Sequence, residues 1–430
     1  MNIKIMKLSL LAAVAIATAC CKDDTLKGQD PAVVWVNRIC GNDMIGDKGL
    51  GHPVYKNTVV FHSTPLPIKG EYQTIVYGLN SETGKEKWKL TNADFAPINN
   101  FQFGNVDYVY QYENIVVGCD HVRSDSPQSY CYAIDIEAGK VLWIKPLPMG
   151  YSEIGRGVLG LEKTAYIDAI TNNRVDFLKI DILTGDLSVV NILNLAELPN
   201  DIKKSDNQIR TCMSSSTYKN ANNENLFAIS INSRDSINIG KLNMTLVVYN
   251  LTTNMRVYTT PVISNDPIFN GFYGRICYHD GKILVGKDRN VYCFDAFTDK
   301  GDPLWSSPVS MNDGVGFGSG NDNVMQIFGY NNKLLAICID HLNAFDINTG
   351  KVIYNVDGSG GTDAAIIDGI LYQRWYSDLG MIDPNTGKLL KRVATPKDDQ
   401  AFANSRPSGA NGKIYLHSYT DAYCIKAWGK

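Results

Sequence analysis

Residues 132–143 read Tyr-Ala-Ile-Asp-Ile-Glu-Ala-Gly-Lys-Val-Leu-Trp, and six other stretches of the chain follow the same pattern. We take the Asp or Asn of each copy as position zero. The seven positions zero are Asn80, Asp135, Asp181, Asn250, Asp295, Asp346 and Asp383. Position four is Gly84, Gly139, Gly185, Asn254, Asp299, Gly350 and Gly387 in turn. All are residue types that tolerate a left-handed backbone, so the repeat indicates a conformational constraint.

Each copy is typical of a strand, a tight turn and a second strand. Residues before position zero alternate among β-branched and aromatic types, as in Val291–Phe294. Asp and Thr side chains can accept from nearby backbone N–H groups, and Gly supplies the positive φ of a hairpin turn. Two further strands precede most copies; in the Asp295 copy they are 275–279 and 282–286. Each unit is therefore predicted to be four antiparallel strands.

The spacing of the units predicts an all-β fold, an eight-bladed β-propeller. Four-stranded units that repeat at roughly 40–50 residues are the signature of propeller blades. Residues 412–419 and 421–426 resemble an eighth unit without an outer strand, and 33–36 resemble the outer strand 141–144. An N-terminal strand that completes the last blade would close the ring without an exposed edge. Seven blades is the alternative, should a weaker copy be an insertion. Residues 32–430 are predicted to form this single domain.

The repeat resembles that of the quinoprotein-type (PQQ-like) propellers, A-x-D-x-x-T-G-x-x-x-W. Ala133, Asp135, Gly139 and Trp143 match it, with Ala138 in place of Thr. The resemblance covers nearly all of the chain from Pro31 onward. It implies that the aromatic residue docks against the neighbouring blade, which makes the repeat structural. In size and anchor the chain is also similar to the propeller lipoprotein of the β-barrel assembly machinery, a protein-binding scaffold.

The N-terminus reads as a lipoprotein signal peptide over residues 1–19. Two lysines precede an apolar run, 8–19, that is too short to span a membrane comfortably. The run ends Ala-Thr-Ala-Cys and resembles a bacterial lipobox with Cys20 as the lipidated residue, followed by a tether over 20–31. Residues 22–24 (Lys-Asp-Asp) resemble the acidic export tag of Bacteroidetes-type surface lipoproteins, or are linker charges. We expect an outer-membrane protein held by its lipid, facing the periplasm or the cell surface.

Net charge indicates which partners the chain could bind, and the positions of the cysteines indicate which of them could form a disulfide. The net charge is −3, and loss of the two signal-peptide lysines makes it −5, so nothing favours nucleic acid. Cys119 and Cys131 lie on consecutive strands of one predicted hairpin and could form a disulfide in an oxidising compartment. The cysteines at 293, 338 and 424 fall within strand patterns and are predicted to be small buried hydrophobes.

The sequence predicts no catalytic residue, no cofactor and no metal site. Enzymes of the resembled family use an adjacent Cys–Cys pair, an Asp base and calcium; here the adjacent pair, Cys20–Cys21, falls in the lipobox. The sequence therefore disfavours PQQ as a cofactor. Acid-rich stretches at 42–47 and 321–323 could hold calcium, although they fall short of EF-hand spacing.

Ligands are expected at the loops between blades, which share small residues, arginines and aromatics. Such loops converge on the central opening of a propeller, where Arg and aromatic side chains could bind a carboxylate or a sugar. The candidates are Tyr151, Arg156, Tyr273, Arg275, Phe317 and Arg406. We expect the three arginines to share one opening; the alternative is that these residues only pack the blade ends. A long polar stretch, 193–225, is predicted to contain a short helix and to be a partner-binding loop or a surface insertion.

Three functions follow, in order of preference. The first is a non-enzymatic envelope lipoprotein that uses a propeller face as a protein-binding scaffold. The second is a surface glycan-binding accessory protein, suggested by the acidic tag and the aromatic content. The third is a quinone-dependent dehydrogenase.

Overall fold

The computed structural model describes most of the chain from Asp30 onward. The described residues are 30–39, 51–63, 75–96, 98, 106–120, 128–151, 153–171, 173–198, 208–213, 217–234, 242–264, 275–287, 289–309, 324–338, 341–358, 364–394, 402, 406–418 and 421–430. The predicted signal peptide, Cys20 and most of the tether lie outside them. So do both acid-rich stretches considered for calcium.

The described residues form strands and two short 3-10 turns, Asn92–Phe95 and Leu195–Glu197. In chain order the strands are β1 (Val33–Arg38), β2 (Val54–Tyr55), β3 (Thr58–Ser63), β4 (Ile75–Asn80), β5 (Glu86–Thr91), β6 (Val106–Tyr112), β7 (Ile115–Asp120), β8 (Tyr130–Asp135), β9 (Lys140–Pro146), β10 (Glu153–Leu161), β11 (Thr164–Ile170), β12 (Arg174–Asp181), β13 (Leu187–Asn194), β14 (Gln208–Met213), β15 (Tyr218–Lys219), β16 (Asn225–Arg234), β17 (Leu242–Asn250), β18 (Met255–Thr259), β19 (Ile263–Ser264), β20 (Arg275–His279), β21 (Lys282–Lys287), β22 (Asn290–Asp295), β23 (Trp305–Pro308), β24 (Gln326–Tyr330), β25 (Lys333–Ile337), β26 (His341–Asp346), β27 (Val352–Asp357), β28 (Ala364–Ile367), β29 (Ile370–Trp375), β30 (Asp378–Ile382), β31 (Leu389–Val393), β32 (Ser408–Ala410), β33 (Lys413–His417) and β34 (Asp421–Lys426).

The strands form eight antiparallel sheets, which confirms the eight-bladed propeller. Blade 1 is β2–β5, blade 2 β6–β9, blade 3 β10–β13, blade 4 β14–β19, blade 5 β20–β23, blade 6 β24–β27, blade 7 β28–β31 and blade 8 β32–β34 with β1. First strands of neighbouring blades contact each other, as β10 does β14 and β20 does β24, so they line the inside of the ring. Hydrophobic clusters fill the spaces between blades.

The N-terminal strand closes the ring by completing the last blade, as the sequence predicted. Strand β1 pairs antiparallel with β34 and is the outer strand of blade 8, with Trp35 opposite Cys424 and Asn37 opposite Ala422. The chain thus begins its ring with the last strand of its last blade. The seven-blade alternative is wrong, because no copy of the repeat is an insertion.

The repeated turns have the geometry that the sequence predicted. In every copy Oδ1 of position zero accepts from the backbone N–H of position two, and in six copies also from that of position three, at 2.8–3.1 Å. Position four has φ between 54° and 73° in six copies. Because five of those residues are Gly and the sixth is Asn254, these turns carry little backbone strain.

Three local features differ from expectation. In the Asp295 copy the positive φ falls on Gly301 (76°) and not on Asp299, because two extra residues lengthen that turn. Blade 4 has six strands, since β15 pairs with β16 and β19 with β17 beside the four main strands. Where a short helix was predicted over 193–204, β13 extends through Asn194 and residues 195–197 form a 3-10 turn, while the part from 199 onward lies outside the described residues.

Antiparallel order gives the ring two unlike faces. One, the hairpin face, carries the turns between first and second and between third and fourth strands, including all seven repeated turns. The other, the loop face, receives the connections between second and third strands and from one blade to the next. The strand ends that flank residues 64–74, 121–127, 265–274 and 310–323 lie at the loop face.

Candidate functional site

On the hairpin face, aromatic side chains join neighbouring blades. Each comes from an outer strand and donates a hydrogen bond to the backbone carbonyl of position one in the next blade's repeated turn. The bonds are Trp35 Nε1 to Ser81 (3.1 Å), Trp88 Nε1 to Ile136 (2.9 Å), Trp143 Nε1 to Ile182 (2.9 Å), Trp305 Nε1 to Ile347 (3.0 Å) and Tyr354 OH to Pro384 (2.8 Å). We call each of these contacts an aromatic latch.

The latch explains why position four is Gly. A Cβ added to Gly139 would lie 2.2 Å from Cγ of Trp88, and one added to Gly350 would lie 2.6 Å from the Trp305 ring. The aromatic ring therefore covers the turn at van der Waals contact. The resemblance predicted that the aromatics dock against the neighbouring blade, and the structure confirms it. The repeated residues of the hairpin face are thus used to build the ring.

The loop face holds the predicted ligand residues that the structure describes. Arg275 is the first residue of β20 and is exposed; Arg406 lies two residues before β32 and is half-buried. The backbone of Arg156 lies in β10, the first strand of blade 3. All three enter first strands from the loop face, so the topology brings them to one side of the ring. Tyr273 and Phe317 lie outside the described residues, and so does the side chain of Arg156.

Tyr151 has a partner that the sequence did not reveal. Its hydroxyl donates to Oδ2 of Asp176 at 2.9 Å, and the same oxygen accepts from Nε of Arg174 at 2.7 Å. Nδ2 of Asn191 donates to Oδ1 at 3.0 Å, so the fully buried Asp176 carboxylate is bonded at both oxygens. Burial, and then the neighbouring carboxylate, raises the pKa of Tyr151. Tyr151 therefore fixes the start of blade 3, while the half-exposed guanidinium of Arg174 lies at the loop face.

Several buried polar side chains lie on second strands near their loop-face ends. They include His62 on β3, Asp168 on β11, Ser230 on β16 and His417 on β33. Oδ2 of Asp168 accepts a hydrogen bond from Oγ1 of Thr211, on the first strand of blade 4. Buried polar groups of this kind are costly unless they are paired, so they fix the position of the strands that carry them. Sequence patterns gave little signal for this layer, because the residue type varies between blades. His recurs at the equivalent positions 62 and 417, whereas blades 3 and 4 have Asp168 and Ser230 there.

The disulfide expected from the sequence is present. Cys119 on β7 and Cys131 on β8 are directly opposite in the strand pairing and are joined by a disulfide. The bridge lies within blade 2 and is buried, so it holds the second and third strands together and takes no part in a surface site. Cys293, Cys338 and Cys424 are buried and unbridged, and burial raises the pKa of Cys293 and of Cys424 to about 12.

Over the described residues no group of three or more His, Cys, Asp or Glu side chains is arranged to hold a metal ion. Nor does any helix in this part of the chain have the length and apolar character needed to cross a membrane.

The eight sheets and their repeated turns define an eight-bladed β-propeller. Among solved structures the chain is similar to BamB from Moraxella catarrhalis, with a TM-score of 0.53 and 13% identity over 92% of this chain and 99% of that one. It is also similar to the quinohemoprotein alcohol dehydrogenase ADHIIG from Pseudomonas putida HK5, with a TM-score of 0.53 and 12% identity over 93% of this chain and 76% of that one. The Dos1 propeller gives a TM-score of 0.55 and 10% identity over 89% and 94%. No protein-family model matches the sequence, and no curated protein matches it.

Proposed function

We propose that this chain is a non-enzymatic lipoprotein of the bacterial outer membrane whose loop face is a protein-binding scaffold. The observation that carries the proposal is the difference between the two faces. The repeated residues of the hairpin face are satisfied within the ring by turn hydrogen bonds and aromatic latches. The loops of the other face differ in sequence from blade to blade, and loops held on a rigid scaffold are where recognition usually resides.

The extent of the fold likeness supports a scaffold. The chain spans 99% of BamB, whereas it spans 76% of the dehydrogenase. The larger share of BamB that is covered favours a scaffold over a dehydrogenase. Because fold alone does not determine function, the proposal depends on the loop face and its residues.

Anchoring is part of the same proposal. Lipidation at Cys20 would hold the propeller at the membrane, with the tether 20–31 leading into β1 in blade 8. Protease treatment of intact cells decides which side of the membrane it faces. Digestion indicates the cell surface, and full protection indicates the periplasm.

Photo-crosslinking in cells tests the scaffold directly. A crosslinking amino acid placed at Arg275 samples the loop face, and one placed at Asn348, exposed in a repeated turn, samples the hairpin face. We expect a discrete protein adduct from position 275 and none from position 348. Adducts from 348 alone, or none from either position, would reject the scaffold. Glycan on the adduct, together with retardation in polysaccharide gels, would favour the glycan-binding alternative.

The likeness to a quinohemoprotein dehydrogenase favours one second candidate, a quinone-dependent dehydrogenase. Reconstitution of the purified propeller with PQQ and calcium tests it. A shift of the quinone spectrum with alcohol-dependent dye reduction would establish the enzyme. We expect neither.

A further inference from the structure

Two histidines from opposite ends of the chain meet in the seam between blade 8 and blade 1. His52 lies just before β2, and His417 ends β33. Nδ1 of His417 and Nε2 of His52 are 3.1 Å apart, with ring centroids 5.0 Å apart and ring planes at 80°. His52 is 2% exposed and His417 6%. This contact therefore lies inside the joint that closes the ring.

His52 is packed against an aromatic ring of blade 1 and the chain that enters blade 8. Its imidazole lies on the Phe61 ring, with centroids 4.2 Å apart, and its backbone N–H donates to Oγ of Ser408 at 2.7 Å. A Cβ on the preceding Gly51, where φ is 78°, would lie 2.5 Å from the Arg406 carbonyl oxygen. A charged imidazole buried at this place would lose most of its hydration.

The electrostatic surroundings oppose a positive charge. Burial, followed by the charges of His417 and His62, lowers the pKa of His52 well below its ordinary value. Burial and His417 likewise lower the pKa of His62, also buried in blade 1, to about 3. Other titratable groups on the elements around the seam are Arg38, Tyr55, Tyr77, Glu82, Arg406, Lys413, Tyr415, Asp421 and Cys424.

We propose that the seam between blades 8 and 1 is an acid-sensitive closure, whose loop-face half opens when His52 and His417 become charged. The hydrogen bond between the two rings needs one nitrogen to donate and the other to accept. One proton places an unhydrated cation in the seam. A second proton makes both nitrogens donors, which breaks the bond and sets two cations side by side.

The hairpin-face half of the same seam does not share this sensitivity. There the indole N–H of Trp35 and the hydroxyl of Tyr415 both donate to the Ser81 carbonyl, at 3.1 and 3.4 Å. Neither donor titrates between pH 5 and 7. Acid therefore separates the loop-face ends of the two blades while the ring stays joined beneath. Opening would alter the face on which partners are proposed to bind.

The direction of the pH effect follows from proton binding. An imidazole that is neutral when closed and has an ordinary pKa of about 6.5 when open favours the closed seam above pH 6.5. As pH falls below that value, the closed state loses stability, and the opening constant rises about tenfold per pH unit for each such histidine. Between pH 7.5 and 5.0 one histidine gives about 30-fold.

Hydrogen exchange of the mature protein at pH 7.5 and pH 5.0, corrected for intrinsic exchange rates, tests the proposal. We expect peptides covering 51–63 and 408–418 to lose at least about 30-fold in protection at pH 5.0. Peptides covering 164–170 and 187–194 in blade 3 should keep theirs. Unchanged protection at the seam, or an equal loss in every blade, would overturn the proposal.

Variants give a second test. The triple variant His52→Gln/His62→Gln/His417→Gln keeps polar side chains that do not titrate in this range, so its seam should lose the pH response. The control is His279→Gln, which removes a histidine whose Nε2 lies 2.6 Å from the Asn331 carbonyl in another seam. The control should respond to pH as the unaltered protein does. A triple variant with the full pH response would contradict the proposal, and if it fails to fold the exchange of the unaltered protein still decides.

Discussion

Neighbouring blades are held together differently in two seams of the ring, the one between blades 1 and 2 and the one between blades 3 and 4. In the first, Trp88 lies on Gly139 and donates to the Ile136 carbonyl. In the second, the outer strand of blade 3 has Val189, 45% exposed, eight residues after position zero, where Trp88 stands in blade 1; position four of the next blade is Asn254. Asn254 still has a φ of 54°, so the turn itself does not need Gly. Gly is required where an aromatic ring covers the turn, and Asn suffices where none does.

The unlatched seam is held by other contacts. Phe177, Phe227 and Tyr249 pack together within it, with ring centroids 4.7–6.4 Å apart. At its rim Nη1 of Arg256 and Oε2 of Glu197 form an ion pair at 2.8 Å. Half-exposed pairs of this kind contribute little to stability, so the aromatic core is the main replacement for the missing latch.

Removing the ring from the latched seam should have the largest effect. Trp88→Ala deletes the indole packing and its hydrogen bond, and we expect a loss of about 3–5 kcal/mol in the free energy of unfolding. The comparable deletion in the other seam, Val189→Ala, should cost less than about 1 kcal/mol because Val189 is half exposed. Urea titration of both variants checks this. Similar costs at the two sites would remove the distinction between the seams.

An exchange of the two position-four residues should have an intermediate effect. Gly139→Asn keeps a residue that tolerates positive φ but places a Cβ against Trp88, so we expect a cost of about 1–3 kcal/mol. Asn254→Gly meets no ring and should change stability by less than about 1 kcal/mol. Thermal unfolding of the two variants measures the difference. Equal effects would mean that backbone conformation alone selects the residue.

These seams also show how far the sequence predicts the structure. The turns, the eight blades and the closing strand follow from a repeat that encodes backbone conformation and packing at fixed positions. The positive φ of Gly301 in the Asp295 copy was missed because an insertion shifts the register of the turn.

The loop face was less predictable than the ring. His52 and His417 are 365 residues apart and come into contact only because the ring closes, so no local pattern marks them. The contact between Tyr151 and Asp176 is of the same kind. Tyr151 lies in the connection between blades 2 and 3, whereas Asp176 and its second partner Arg174 lie on β12. Local patterns predict elements that repeat, whereas single residues that meet across blades require the structure.

The smallest expected effect is a gain. Introducing an aromatic latch between blades 3 and 4 needs both Val189→Trp and Asn254→Gly. Asn254→Gly alone supplies no ring, and Val189→Trp alone brings its ring against the Cβ of Asn254. We expect the double variant to gain about 1 kcal/mol beyond the sum of the single variants. Unfolding of the four proteins under one set of conditions measures this gain. A purely additive result would show that the seam cannot accept an indole.

The most direct test of the central claim is a double-mutant cycle of Trp88→Ala and Gly139→Asn, followed by urea unfolding with fluorescence and circular dichroism. If Gly139 is required because Trp88 covers it, Gly139→Asn should cost almost nothing once the indole is gone. The coupling should then be about 1–3 kcal/mol, close to the cost of Gly139→Asn alone. Additive costs, with a coupling near zero, would contradict the claim that the aromatic latch selects the glycine.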